Sequence, residues 1–162
     1  MAGADFKLEN VKQFMGNFNM EVQKMRGRTI QGLIKAGIVL WRAAEPHTPV
    51  DTSNLNHSWF IVSMKGTNKE SKNNSFTGEK AGQRQQEYEA VTAQAEQEVG
   101  SFSTKKRPFI IFGYTANYAV FVHENVDANF KRPGARARWL YKAMRDKEEK
   151  MLEIIAEESK FK

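Results

Sequence analysis

The sequence predicts an α+β fold: a small, mostly antiparallel sheet packed against a long N-terminal helix and a C-terminal helix, with a polar and helical insertion. Three observations predict it. A helical apolar pattern ends at Pro46 and Pro49, an apolar strand follows at about 56–64, and a second helical pattern closes the chain at about 134–159. Proline lacks a backbone donor and restricts the residue before it, so the first helix ends there. A chain of 162 residues is long enough for one domain with a hydrophobic core.

An apolar pattern with spacings of three and four covers residues 1–18 and predicts a short amphipathic helix or a docking arm. Gly16 and Asn17 are expected to end it, and the long helix then runs from about Asn19 to Ala44. The apolar stripe of that helix is broad enough to pack on a sheet. The stripe consists of Val22, Met25, Ile30, Leu33, Ile34, Ile38 and Trp41.

Three glycines, Gly27, Gly32 and Gly37, lie inside the long helix. Each weakens its intrinsic helix propensity by about 1 kcal/mol relative to alanine, so packing must supply the stability instead. Because the glycines recur every five residues, they do not share one face and are not expected to form a single packing motif.

The corner between helix and strand is predicted at residues 48–55. Asp51 and the three residues after it have side chains that bond their own backbone, which favours a tight turn with Asp51 as a capping residue. The residues expected to form this turn are Thr48, Pro49, Asp51, Thr52 and Leu55.

The strand after the corner is apolar on both sides. Its alternation puts Trp59 and Ile61 on one face, and Phe60, Val62 and Met64 on the other. A strand of this kind is covered on each face, and we expect a helix on one side and a second protein on the other.

Residues 66–107 are expected to be an insertion within the domain. A polar stretch at 66–82 predicts a long mobile loop, and 83–99 predicts a weakly amphipathic helix. The face of that helix comprises Tyr88, Val91, Ala95 and Val99.

The last third of the chain predicts a short buried strand at 108–113 and a closing helix from about Gly134 to Ser159. Between them, Tyr118, Phe121 and Val122 have the spacing of a helical turn, although 119–122 also fits a strand. The apolar stripe of the closing helix consists of Leu140, Ala143, Met144, Met151, Leu152, Ile154 and Ile155.

Composition restricts the chemistry. The chain has no cysteine, which excludes disulfides and thiolate metal sites. It shows no signal-peptide pattern and no apolar run near the roughly 20 residues that span a bilayer, so we expect a soluble protein folded in a reducing cytoplasm with no membrane partner. The net charge of +6 permits an acidic partner or nucleic acid, and solubility alone also accounts for it.

No catalytic, cofactor-binding or metal-binding residue is predicted. The sequence lacks HExxH, GxSxG and P-loop patterns, and the Asp51-Thr52-Ser53 stretch occurs once, whereas an aspartic protease needs two carboxylates. A small enzyme built on Asp51, His57, His123 and Glu124 is a weaker alternative that requires those groups to converge in a pocket.

A basic cluster lies before the closing helix and has aromatic neighbours at Phe130, Trp139 and Tyr141. Cations are disfavoured at a helix N-terminus, so an anionic partner, either nucleic acid or a carboxylate of another subunit, is plausible. A solvated basic face accounts for the cluster equally well. The cluster consists of Lys131, Arg132, Arg136 and Arg138.

Three stretches together resemble a known family. Residues 48–55 (TPVDTSNL) lead into Ser58-Trp59, residues 117–124 (NYAVFVHE) follow a short strand, and residues 134–140 (GARARWL) open the closing helix. Their order resembles the neck or tail-completion proteins of tailed bacteriophages, in which a helix ends in an (A/T)PVDTG.L..S turn and a later YA..VE segment precedes a loop and the closing helix. The resemblance covers the chain from the long helix onward, except 66–107. Ser53 replaces the usual glycine of the turn, and Asn125-Val126-Asp127 replaces the glycine after the glutamate.

The resemblance implies an α+β fold, no catalysis and a ring, expected to be a hexamer, that joins the head connector to the tail. The implied partners are copies of the chain, the connector or stopper and the tail-tube protein, with DNA in the channel as a further candidate. The implied location is the virion, assembled in the host cytoplasm. Tyr118, Phe121 and Glu124 are the family-like residues of the second stretch. A nucleic-acid-binding protein that uses residues 131–138 is the alternative function.

Overall fold

A computed structural model describes residues 8–49, 54–72, 75–103 and 107–160. These residues confirm the α+β fold, with a three-stranded antiparallel sheet. Single turns of 3₁₀ helix follow the first helix at Glu45–His47 and precede the first strand at Asn56–Ser58. The elements in chain order are α1 (Leu8–Ala44), β1 (Trp59–Ser63), β2 (Gly66–Thr67), α2 (Lys69–Lys72), α3 (Ala81–Ser103), β3 (Ile111–Tyr114), α4 (Ala119–Glu124) and α5 (Trp139–Ser159).

The helix α1 is continuous over 37 residues, which is about 55 Å at the helical rise. The predicted break at Gly16 and Asn17 is therefore wrong. A single glycine in a helix costs only about 1 kcal/mol, and the apolar spacing continues across it. Residues 8–18, predicted as a separate arm or short helix, are the first turns of α1, while residues 1–7 lie outside the described part of the chain.

The sheet has the order β2-β1-β3, so the apolar strand β1 is central. Trp59 pairs with Tyr114, and Val62 pairs with Ile111 on one side and Thr67 on the other. The strand β1 is shorter than predicted because residues 56–58 form a turn that ends in the buried Ser58.

Each face of β1 is covered by a helix of the same chain. Trp59 and Ile61 pack against α1, and the indole of Trp59 stacks on Trp41 with ring centroids 4.4 Å apart. Phe60 and Val62 pack against α3. The predicted division of the two faces is confirmed for these four residues, and α3 lies where a second protein was expected.

The segment 66–107 supplies that second layer. The predicted helix is confirmed as α3, and Tyr88, Ala95 and Val99 are its buried apolar residues. The predicted loop at 66–82 is wrong in part because it contains β2 and α2. The strand β2 follows a tight turn at residues 64–65 and begins at Gly66, which has φ +87°. A carboxylate of α3 holds the edge strand, because Glu96 Oε1 accepts from Thr67 N at 2.8 Å and Thr67 Oγ1 at 2.6 Å. Whether the segment is an insertion stays a prediction.

The helices α1 and α5 lie antiparallel. Trp139, at the start of α5, packs near Ala44 at the end of α1, whereas Ser159 at the other end of α5 lies 3.1 Å from the hydroxyl of Thr29. Gly32 allows the close approach, because a Cβ there would lie 3.0 Å from Ile155 Cα. Gly37 allows a second close approach, between α1 and β1, because a Cβ at Gly37 would lie 2.8 Å from a methyl group of Ile61. The glycines thus serve two separate contacts, on different faces as their spacing indicates.

The helix α5 begins five residues later than predicted. Gly134 and Arg138 adopt left-handed backbone conformations, with φ +83° and +54°, so the segment between them is not helical. The predicted apolar stripe is also too broad, because Met144 and Leu152 are exposed. The helix packs mainly on α1, and a helix with one neighbour buries a narrow stripe.

Candidate functional site

The three stretches that carry the resemblance come together at the C-terminal end of α1. A single buried cluster contains one residue from each stretch, namely Leu55, Ala119 and Trp139. Trp139 is its largest member and is 1% exposed. Leu55 and Trp139 therefore belong to one cluster although they are 84 positions apart in the sequence.

The described residues of the predicted turn, Thr48, Pro49 and Leu55, lie at this end of α1. Thr48 is fully buried, and its hydroxyl donates to Ala44 O at 3.0 Å, where α1 ends. Pro49 and Leu55 are buried as well. Residues 50–53 lie outside the described residues, so the predicted capping role of Asp51 and the predicted place of Thr52 in the turn stay predictions.

Arg132 ties the basic cluster to the end of α1. Its guanidinium donates to Glu45 O at 3.0 Å, to Thr48 O at 3.3 Å and to the Glu45 carboxylate at 3.1 Å. A cation is favourable at the C-terminal end of a helix, where carbonyl groups lack partners. Arg132, predicted to face DNA or a partner, is thus engaged within the fold, and its side chain is 29% exposed.

The connection between Arg132 and α5 is held at three further points. His47 Nδ1 lies 2.9 Å from Gly134 O, and the backbone amide of Arg136 donates to His47 O at 3.1 Å. The amide of Arg138 donates to His123 O at 2.7 Å. Arg136 and Arg138 donate these bonds through their backbone amides. The side chains of both residues are exposed, and so is the side chain of Lys131.

His123 and Glu124 join α4 to the start of α5. His123 Nδ1 lies 2.6 Å from one oxygen of Glu124, and Arg138 Nε lies 3.4 Å from the other. The hydrogen bond from His123, assisted by the charge of Arg138, lowers the pKa of Glu124. The imidazole also packs edge-on against Trp139, with ring centroids 4.7 Å apart.

The outward face of α4 is apolar. Val120 and Phe121 are 75% and 73% exposed, while Ala119 and Val122 pack inward, so the helical alternative for this segment is correct. We call the exposed apolar residues of this region the α4 patch. It consists of Tyr118, Val120, Phe121 and Val126.

Tyr118 and Phe121 of the α4 patch were predicted as family-like residues from the sequence, whereas Val120 and Val126 were not. The exposure of Val120 could have been predicted from its position in the sequence. Once the segment is read as a helix, Ala119 fixes the buried face, and its neighbour at 120 must point away from it.

A cleft lies beside Tyr118, between the residues after β3 and the start of α3. Its volume is about 190 Å³, below the roughly 300 Å³ at which small-molecule sites begin. Among the described residues that line it, Glu87 is the one carboxylate. The hydroxyl of Ser58, also in the wall, donates to Leu55 O at 2.8 Å.

The three histidines are held by separate partners. His57 Nδ1 lies 2.6 Å from Ser75 O, while His47 and His123 are engaged as described above. Within the described ranges, no group of three histidine or carboxylate side chains could hold a metal ion. No helix in those ranges is long and apolar enough to span a bilayer.

Chemically, the arrangement is an exposed apolar surface on a scaffold held by hydrogen bonds and ion pairs. Comparison of the chain with protein-family models, with curated proteins and with solved structures gave no match in any of the three.

Proposed function

We propose that this chain is a structural subunit of a tailed-bacteriophage virion, a neck or tail-completion protein that joins the head connector to the tail as a ring. The observation that carries the proposal is the α4 patch, because Val120 and Phe121 are largely exposed within the family-like segment. Exposed apolar patches on small soluble proteins mark interaction sites.

The convergence of the three stretches supports the same proposal. A turn, a short helix and a basic connection that resemble one family in order also meet around Trp139. The described hydrogen bonds between them, from Arg132 to the corner and from Arg138 to α4, hold the outward face of α4 in a fixed position. A rigid apolar face suits a subunit that must fit between other proteins.

We propose a homomeric ring, a hexamer, with the connector or stopper above it and the tail tube below it, located in the virion.

Gene deletion with complementation in trans tests the proposal in the phage that encodes the chain. Without the protein, we expect filled heads and separate tails in electron micrographs, and intact particles when the native chain is supplied. Mass spectrometry of purified particles should then detect the chain in multiple copies. Normal particles without the protein, or particles that lack it, would overturn the proposal.

A substitution in the α4 patch sharpens this test. Phe121→Asp places a charge on an exposed position, so the variant should fold but fail to restore intact particles. Leu152→Asp is a matched control, because Leu152 is 59% exposed on α5 and outside the patch. Equal rescue by both variants would remove the α4 patch from the proposal.

Nucleic-acid binding is the second candidate, favoured by the exposed side chains of Lys131, Arg136 and Arg138 and by the net charge of +6. It predicts DNA binding that weakens steeply with salt. Changing Arg136 and Arg138 to Glu should abolish that binding, whereas Lys69→Glu, at the start of α2, should leave it nearly unchanged. Unchanged binding in the double variant would reject this function, and binding lost together with particle assembly would place DNA in the lumen of the ring.

A further inference from the structure

The strand β3 forms an open edge of the sheet. The order β2-β1-β3 places it outermost, with β1 as its neighbour among the described strands. Thr115 N donates to Ser58 O at 2.8 Å, and from there the direction of the backbone groups alternates along the antiparallel pair. The N–H and C=O of Gly113 therefore face β1, whereas those of Phe112 and Tyr114 face outward.

The outward groups of Phe112 and Tyr114 form no hydrogen bond with another described residue. An edge of this kind is a template for one more strand, because its N–H and C=O groups lack partners. Pro108 precedes the strand and has no N–H to donate. Pairing along this edge must therefore end before Pro108.

A cleft opens where the chain enters β3, beside α1 and the turn that joins β1 to β2. Three cations line it: Arg26 of α1, Lys65 of the turn and Arg107. Met64 and Pro108 contribute apolar surface to the same cleft. We call it the cationic cleft.

The cationic cleft has no compensating charge among the residues that the structure describes. None of its lining residues is acidic, and none of its three cations forms an ion pair with a described residue. A cleft lined by one sign of charge concentrates ions of the opposite sign, so its ligand is anionic. Its volume of about 250 Å³ is below the roughly 300 Å³ of small-molecule sites, which favours side chains of a partner protein.

The open edge and the cationic cleft are within reach of one extended peptide. Pro108, in the wall of the cleft, lies four residues before Phe112. Four residues of extended chain span about 13 Å, so a strand paired with Phe112 brings its next side chains to the cations. A nucleic acid would neutralise the same cations but has no peptide groups with which to extend the sheet. The two features together therefore favour a peptide.

We propose that the open edge of β3 and the cationic cleft together bind an acidic, extended segment of another protein. The backbone of this segment adds a strand beside β3. Carboxylates at the end of the segment lie among Arg26, Lys65 and Arg107. The contact uses none of the α4 patch residues, and it does not depend on the virion function proposed above.

A synthetic peptide tests the contact. The probe consists of three Thr-Val repeats flanked at each end by Asp-Glu, so that either strand direction places carboxylates at the cleft. The control peptide has Pro-Pro in place of the central Thr-Val pair, which keeps the charge and removes two backbone donors. Titration calorimetry with the native chain should show at least about tenfold weaker binding of the control, since each lost hydrogen bond costs about fivefold. Equal affinity of the two peptides would overturn the strand addition.

Amide hydrogen exchange locates the bound peptide. The N–H groups of Phe112 and Tyr114 should exchange at least about tenfold more slowly when the probe is bound, because they gain hydrogen-bond partners. The N–H of Gly113 faces β1 and should change less. Binding of the probe without this selective protection would contradict the proposal.

Arg107→Glu tests the cationic cleft. An exposed ion pair is worth up to about fivefold in affinity, and the new carboxylate also repels the probe, so binding should weaken about tenfold. Arg145→Glu makes the same charge change at an exposed position of α5 outside the cleft, and its affinity should stay within about twofold of the native value. Equal losses in the two variants would remove the cleft from the proposal.

A single-stranded oligonucleotide distinguishes the other class of anionic partner. We expect it to compete weakly with the probe and to leave the amides of Phe112 and Tyr114 unprotected. If the oligonucleotide binds more tightly than the probe and Arg107→Glu abolishes that binding, the cleft is a nucleic-acid site and the proposed peptide contact is wrong.

Discussion

Arg132 is the side chain on which the corner at the end of α1 depends. Its three hydrogen bonds satisfy two backbone carbonyls and the carboxylate of Glu45. The sequence shows that residue 132 is an arginine, but no local pattern relates it to Glu45, its partner in the fold. Arg132 was therefore grouped with Lys131 and Arg136, whose side chains are exposed.

Arg132→Met should lower the free energy of unfolding by about 1.5–3 kcal/mol, the range for hydrogen bonds to charged groups. The methionine retains the aliphatic stem but removes the guanidinium donor from Thr48 O and from the Glu45 carboxylate, and leaves Glu45 O with only the amide of Thr48 as a described donor. Urea denaturation measures the loss. Lys131→Met, at the exposed neighbouring position, should stay within about 0.5 kcal/mol of the native chain; equal losses in the two variants would contradict the role assigned to Arg132.

The hydrogen bond of Glu124 to His123 and its ion pair with Arg138 make a pH-dependent contribution to stability. Because the pKa of Glu124 is lowered in the folded chain, the unfolded state takes up its proton first, and stability falls as the pH drops below the ordinary glutamate value of 4.5. In Glu124→Gln, stability should decline less steeply over this acidic range. Glu148→Gln, on α5, is the comparison, and identical pH profiles of unfolding for Glu124→Gln and the native chain would contradict the contribution.

Among the elements, β1 and α3 were predictable because each carries a clear periodicity. Alternation along β1 assigned both of its faces, and spacing along α3 assigned Tyr88 and Val99 to one face. What covers each face was not predictable, since a weak helical pattern does not reveal which strand it packs on. The start of α5 was missed because the left-handed backbone at Arg138 depends on its bond to His123, which has no local sequence signal.

Gly27 and Gly32 in α1 should respond oppositely to alanine. A Cβ at Gly27 meets nothing within 4 Å, so Gly27→Ala should stabilise the chain by up to about 1 kcal/mol through helix propensity. A Cβ at Gly32 would lie 3.0 Å from the backbone of α5, so Gly32→Ala should destabilise it by about 1–3 kcal/mol. Chemical denaturation of the two variants measures both, and a gain at Gly32 would show that the helices are not in close contact.

At the scale of the whole molecule, the fold class followed from the sequence, whereas the exposed surfaces did not. Met144 and Leu152 were expected to be buried and are exposed, while the outward face of α4 emerged only once Ala119 was seen to pack inward. Sequence periodicity identifies an apolar face but not whether its own chain covers it. That distinction decides between a core and a contact surface.

Assembly should make the thermal stability depend on protein concentration. Association stabilises the folded state by mass action, so the apparent Tm of the native chain should rise as its concentration increases. Phe121→Asp should abolish this dependence, and Leu152→Asp should preserve it. Differential scanning calorimetry over a hundredfold concentration range measures the effect, and a constant Tm for the native chain would count against self-association.

The stacked indoles of Trp41 and Trp59 join the long helix to the central strand. Electronic transitions of two rings at this separation couple, so the pair should give a circular-dichroism couplet that Trp41→Phe removes. The couplet is an optical reporter of one event, the lifting of α1 from the sheet. Followed during unfolding beside the backbone signal, it would show whether the two layers separate before the helices melt.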